Sequence, residues 1–168
     1  MTRCRIAVCA CLALVLSACA LSPSLSSYKP QTQEEALVVA MLQRIPAGVK
    51  AKSLDIIMQA YDEDVFVGNF RKYLGVATPD SPATLRGKAQ VRQVYSAILG
   101  GVKDVSLDVR DFTLTVSGNH ASAGGWIEMH LKLEAGRREA KEELVRNNVN
   151  WRLRRTPLGW KIYEEIFN

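Results

Sequence analysis

The sequence predicts an α+β fold, a curved antiparallel sheet wrapped over helices that come first in the chain. Two observations carry this. Between Thr32 and Leu99 the apolar residues recur at three- and four-residue spacings. From Val102 onward they recur at every second position. Glycine, proline and asparagine mark the breaks between these segments.

Thr32-Gln33-Glu34-Glu35 has the pattern of a capping box, in which a hydroxyl and a carboxylate satisfy free amides at a helix start. Ala36, Leu37, Val39, Ala40 and Leu42 follow on a helical stripe, and Pro46 and Gly48 are expected to end it. Ser53 is placed to cap a second helix with Leu54, Ile57, Met58 and Tyr61 on one face. Val65-Phe66-Val67 reads as a short strand, and Gly68 to Pro82 as a long irregular loop. A third helix is expected from Gly87 to Leu99, burying Val91, Val94, Tyr95, Ile98 and Leu99, with Gly100-Gly101 as its stop.

In the strand region Val105, Leu107 and Val109 share one face. Beyond Asp111 the apolar set moves to Phe112, Leu114 and Val116, a change of phase that predicts a β-bulge. Ser117-Gly118-Asn119 marks a hairpin turn. The next strand sets Ala123, Gly125, Ile127, Met129, Leu131 and Leu133 against Trp126, Glu128, His130 and Lys132 on the other face. A turn near Ala135-Gly136 leads to a strand with Val145, Asn147, Val149, Trp151 and Leu153 on one side. Its other side is polar, with Arg146, Asn148, Asn150, Arg152 and Arg154. Pro157 and Gly159 then turn the chain into a last strand, Trp160 to Tyr163.

The N-terminus has a different grammar. Arg3 and Arg5 precede an apolar run from Ile6 to Leu16, followed by Ser17-Ala18-Cys19, the order of a secretion signal. The run is too short to stay in a bilayer, which takes about 20 residues to cross. Leu16-Ser17-Ala18-Cys19 resembles the bacterial lipobox. The resemblance implies that residues 1–18 are removed, that the Cys19 thiol is acylated, and that the chain is held by lipid at the cell envelope. With Ala20 rather than Asp next, it implies the outer membrane, facing the periplasm. The mature chain then keeps no second cysteine, so no disulfide, thiolate metal site or cysteine nucleophile is available. Residues 19–31, rich in serine and proline, read as a flexible tether of at most about 40 Å, and residues 32–168 as one domain.

Ala60-Tyr61-Asp62-Glu63-Asp64-Val65-Phe66, Leu85-Arg86-Gly87-Lys88, and the C-terminal Trp151-Arg152-Leu153-Arg154 with Gly159-Trp160-Lys161-Ile162 together resemble the nuclear transport factor 2-like superfamily. The resemblance runs from about residue 33 to the end. It implies a cone-shaped domain like that of ketosteroid isomerase and the polyketide-cyclase-like proteins, a fold that hosts enzymes and binding modules alike. For the isomerase-type members it places the carboxylate base at Gly68 or Asn69, where this chain has none, and an amide does not accept a proton at neutral pH. The dehydratase-type chemistry wants His and Asp inside the cone. His130 falls on the polar strand face and His120 at a hairpin turn.

Tyr61, Asp64, Asn147, Trp151 and Tyr163 are therefore the expected pocket-lining residues, with no catalytic residue assigned. Asp62, Glu63 and Asp64 read as an acidic cluster at a helix end, either a pocket rim or a solvated terminus. Trp126, Glu128, His130, Arg152 and Arg154 are the expected interface residues, for a second copy of the chain or an envelope protein. Arg146, Arg152, Arg154 and Arg155, near Arg137 and Arg138, make that face basic, either to meet anionic lipid headgroups or an acidic partner or as a solvated face balanced by Glu139, Glu142, Glu143, Glu164 and Glu165. One His and one Glu are too few for a metal site, and no cofactor-binding motif or phosphate loop is present. Without Arg3 and Arg5 the formal charge falls from +5 to about +3, too mild to imply nucleic acid. The expected role is a membrane-tethered, non-catalytic domain that binds a small apolar ligand or an envelope partner. The alternatives are a cyclase-, dehydratase- or isomerase-like enzyme and an accessory lipoprotein of a secretion or conjugation assembly.

Overall fold

The computed structural model describes residues 22–73, 82–133 and 142–168. The expected signal segment, Cys19, most of the loop between Gly68 and Pro82, and the turn at Ala135-Gly136 lie outside the described residues. Helices α1 (Gln33–Leu42), α2 (Arg44–Lys50) and α3 (Leu54–Met58) lead into strand β1 (Tyr61–Gly68). A short α4 (Phe70–Tyr73) and β2 (Leu85–Arg86) precede the longer α5 (Lys88–Gly100). Four long strands then follow: β3 (Val102–Ser117), β4 (His120–Leu133), β5 (Glu142–Thr156) and β6 (Gly159–Phe167). Together with β1 and β2 they form one sheet in the order β2-β1-β6-β5-β4-β3, antiparallel except where β1 runs parallel to β6.

Local chemistry explains the helix starts. Thr32 Oγ1 accepts from the Glu35 amide at 3.1 Å, and the Glu35 carboxylate reaches back to the Gln31 amide at 2.7 Å. Ser53 Oγ accepts from the Ile56 amide at 3.4 Å. Pro46 and Gly48 do not end the helical region as expected. Pro46 sits in the first turn of α2, where its missing N–H has no intrahelical partner to lose. Gly48 lets α2 approach α3, since a Cβ there would lie 2.6 Å from the Ile57 side chain and 2.9 Å from its backbone nitrogen.

Tyr61 and the acidic cluster also lie elsewhere than the helical pattern suggests. The helix stops at Met58, and the Ala60 carbonyl accepts from the Ile162 amide at 2.9 Å, which draws the chain into the sheet. Tyr61, Asp62, Glu63 and Asp64 are therefore strand residues.

The bulge at Asp111 is present: the β3–β4 register shifts between Arg110 and Thr113, and Asp111 has φ 49°. A second bulge lies in β6. Leu153 pairs with Ile162 but Arg152 pairs with Glu164, so Tyr163 is one residue too many for the ladder. Trp160 and Ile162 point inward before it; Glu165 and Phe167 do so after it.

Residues 22–31, expected to be a free tether, are instead a docked strap from Pro23 on. The Leu25 amide donates to the Val109 carbonyl at 2.8 Å, and the Phe112 amide donates to the Pro23 carbonyl at 2.7 Å. Leu25 is 2 % exposed, and the Tyr28 ring meets Phe112 edge-on at 5.1 Å. The strap covers β3, an edge strand with unpaired backbone groups. Burying Leu25 stabilises this contact by roughly 2 kcal/mol. The core lies between the helices and the concave face of the sheet, with Leu42, Ile57, Val65, Phe112, Val149, Trp151 and Ile162 almost fully buried.

Candidate functional site

Strand β5 alternates as its sequence indicates, so Trp151 projects into the interior, where it is 2 % exposed. Its register partner on β6 is Glu165. Without the Tyr163 bulge Glu165 would point outward among the arginines, as its position in the sequence suggests. The extra residue turns it in, and it is 3 % exposed.

The Glu165 carboxyl is held on both sides. Trp151 Nε1 donates to Oε1 at 2.8 Å, and the Tyr61 hydroxyl donates to Oε2 at 3.0 Å. The Tyr61 hydroxyl lies 3.3 Å from that of Tyr95, which α5 contributes from the other wall. Burial pushes the Glu165 carboxyl up to about 7, although both hydrogen bonds favour its charged form. Desolvation wins because no cation among the described residues stands beside the group to offset it. Near neutral pH the carboxyl is thus poised between two states. Charged, it accepts from Tyr61; protonated, it can donate to the Tyr61 oxygen and turn that hydroxyl toward Tyr95. This is a small proton-carrying chain in an apolar setting, able to give or take one hydrogen bond or one proton.

The structure brings together only two of the residues expected to line a pocket, Tyr61 and Trp151. Asp64 is exposed at the rim, where Arg154 pairs with it at 2.5 Å and with Asp62 at 2.7 Å. That guanidinium holds the Asp62 carboxyl below the usual carboxylate range, its hydrogen bond outweighing the partial burial. Tyr163, as the bulge residue, lies outside the cluster, with the His120 ring 6.5 Å from its own and the Arg154 guanidinium 5.6 Å above it. Asn147 is half-buried on the inward side of β5, opposite Ile127 and four residues from Trp151. Asn69, at the place of the isomerase-type base, plays a structural part, since its amide donates to the Phe167 carbonyl at 2.9 Å.

The expected interface residues lie on the convex face. Glu128 is covered by Arg110 at 2.7 Å and Arg146 at 2.9 Å, Arg152 pairs with Glu164 at 3.1 Å, and Trp126 is 47 % exposed. His130 is exposed beside a polar depression of about 330 Å³ lined by Ser106, Lys132 and Glu142, at the other end of β4 from the Glu165 cluster. Among the described residues no group of three His, Cys, Asp or Glu is arranged to hold a metal, and no helix is long and apolar enough to cross a membrane.

Comparison with known proteins agrees with this fold. The family model of the SnoaL-like domain matches residues 38–165. The fold is similar to that of the Kfla4162 protein from Kribbella flavida, with TM-score 0.68 and 14% identity over 80% of this chain and 89% of that one. It is also similar to a candidate dehydratase of the nuclear transport factor 2-like family from Streptomyces avermitilis (TM-score 0.60, 17% identity, 80% and 94% covered). A nuclear transport factor 2-like superfamily protein from Salmonella enterica gives TM-score 0.62 at 13% identity, with 80% and 89% covered. At such identities the likeness shows the fold alone. No curated protein matches the chain.

Proposed function

The chain belongs to the SnoaL-like domain family, within the nuclear transport factor 2-like superfamily, and from that premise we propose that it binds a small, largely apolar molecule inside the cone. The observation that supports this reading most is the Glu165 carboxyl, buried between Trp151 and Tyr61 with Tyr95 behind. Convergent polar groups set among apolar side chains are the usual design of a small-molecule site. Glu165 and the two phenols would meet the ligand's single polar group, and the surrounding apolar side chains its body. The lipobox-like Leu16-Ser17-Ala18-Cys19 supports an outer-membrane lipoprotein facing the periplasm, so the ligand is one met in the cell envelope.

A second reading is favoured by the carboxyl's position near neutrality. A group held at about 7 serves equally as a general acid or base, and one solved structure of the same fold is described as a candidate dehydratase. Native mass spectrometry of the full chain, extracted from its membrane, tests both. A single bound species supports the binder. A pair of bound species differing by one water supports the dehydratase reading. An interior empty after gentle extraction contradicts both.

A further inference from the structure

We propose that the convex face around Trp126 rests on the lipid bilayer, held there by the docked strap. This placement rests on acylation of Cys19 and concerns how the domain then stands on the membrane. Had residues 20–31 been free, the domain would roam up to about 40 Å from its anchor. With Pro23 and Leu25 bonded to β3, only Ala20, Leu21 and Ser22 separate the lipid from the fold, at most about 10 to 13 Å of chain. Trp126 pairs with Arg110 on the neighbouring strand, next to the bonded Val109. It therefore lies about two strand spacings, or roughly 10 Å, from the strap. At 47 % exposure about half of it is uncovered, within reach of the headgroup layer where tryptophan is favoured.

Charge does not drive this contact. Arg110 and Arg146 flank Glu128, and Asp108 lies 3.7 Å from Arg110, so the patch is nearly balanced. The contact is carried by the anchor's short reach and by the indole. It should persist at high salt and without anionic lipid, unlike a basic-patch contact.

The fluorescence of the chain reports this directly, because Trp151 and Trp160 are buried and Trp126 is not. The full chain, expressed in a Gram-negative host and checked by mass for its acyl groups, is placed on phosphatidylethanolamine and phosphatidylglycerol vesicles containing brominated lipid. The proposal expects bromine to quench about a third of the emission, the share of one tryptophan in three at headgroup depth. That quenching should survive high salt and vanish in Trp126→Phe. Inserting about twelve Gly/Ser residues between Ala20 and Leu21 should reduce it several-fold, since the longer linker restores free reach without touching the strap. An acylated, vesicle-bound protein whose Trp126 is unquenched, or is quenched equally with the linker, overturns the docking. Trp126 shielded from aqueous quencher equally on and off vesicles, with the protein dimeric, assigns the face to a second copy instead. A chain without acyl mass overturns the anchoring, and the docking with it.

Discussion

Trp151 and Glu165 are register partners on β5 and β6, and the indole nitrogen of one donates at 2.8 Å to the buried carboxyl of the other. The hydrogen bond favours the charged carboxylate against the desolvation that opposes it. Trp151→Phe keeps most of the packing and removes the donor. It should raise the Glu165 titration midpoint further and destabilise the fold by about 1 to 3 kcal/mol, because a buried carboxyl oxygen loses its donor. Denaturant unfolding at pH 7 measures the second effect.

Stability should fall as pH rises through the neutral range. Folding raises Glu165 from its ordinary value of 4.5 to about 7, so the native protein binds the proton more tightly than the unfolded chain. Its contribution is fully present below about 4.5, declines as pH climbs to about 7, and is lost above that, a change on the order of 3 kcal/mol. Asp62, held low by Arg154, works in the opposite sense and loses its contribution only as pH falls through the acid range. Glu165→Gln, which stays neutral, should flatten the neutral-range slope in unfolding curves taken from pH 4 to 9.

Undocking the strap should be costly for so short a segment. Leu25→Ala removes most of a side chain that is 2 % exposed and should cost about 2 to 3 kcal/mol. Amide exchange at Phe112, whose N–H is bonded to Pro23, should speed up with it.

Gly48→Ala probes the helix contact. The new methyl would meet Ile57 side-chain and backbone atoms at 2.6 and 2.9 Å, so α2 and α3 must separate. The expected loss is about 1 to 3 kcal/mol, despite alanine's better helix propensity, measured by thermal or denaturant unfolding.

The two bulges show why one half of the site is readable in the sequence and the other is not. At Asp111 the apolar residues themselves change phase, from Val109 to Phe112, so the sequence carries the signal. In β6 both alternations look alike: Trp160, Ile162, Glu164 and Ile166 on one, Tyr163, Glu165 and Phe167 on the other. Each mixes apolar and acidic residues, so nothing in the pattern reveals that Tyr163 is extra and Glu165 points in. Trp151 is readable because β5 alternates cleanly against arginine and asparagine. Tyr61 is identifiable as buried, but its spacing from Leu54, Ile57 and Met58 fits a helix that ends before it. The strap, with Leu25 and Tyr28 as its main apolar contacts, is too short and too rich in serine and proline to show periodicity.

The proposed ligand site stands on Glu165 being an interior carboxyl, and its ¹³C carboxyl resonance, followed by NMR from pH 3 to 9 and assigned by loss in Glu165→Gln, examines that without intermediate steps. A midpoint at about 7 is expected. A midpoint in the ordinary glutamate range, at about 4.5, would mean that the side chain meets water, and would contradict the apolar cluster with Tyr61 and Trp151 on which the proposed binding rests.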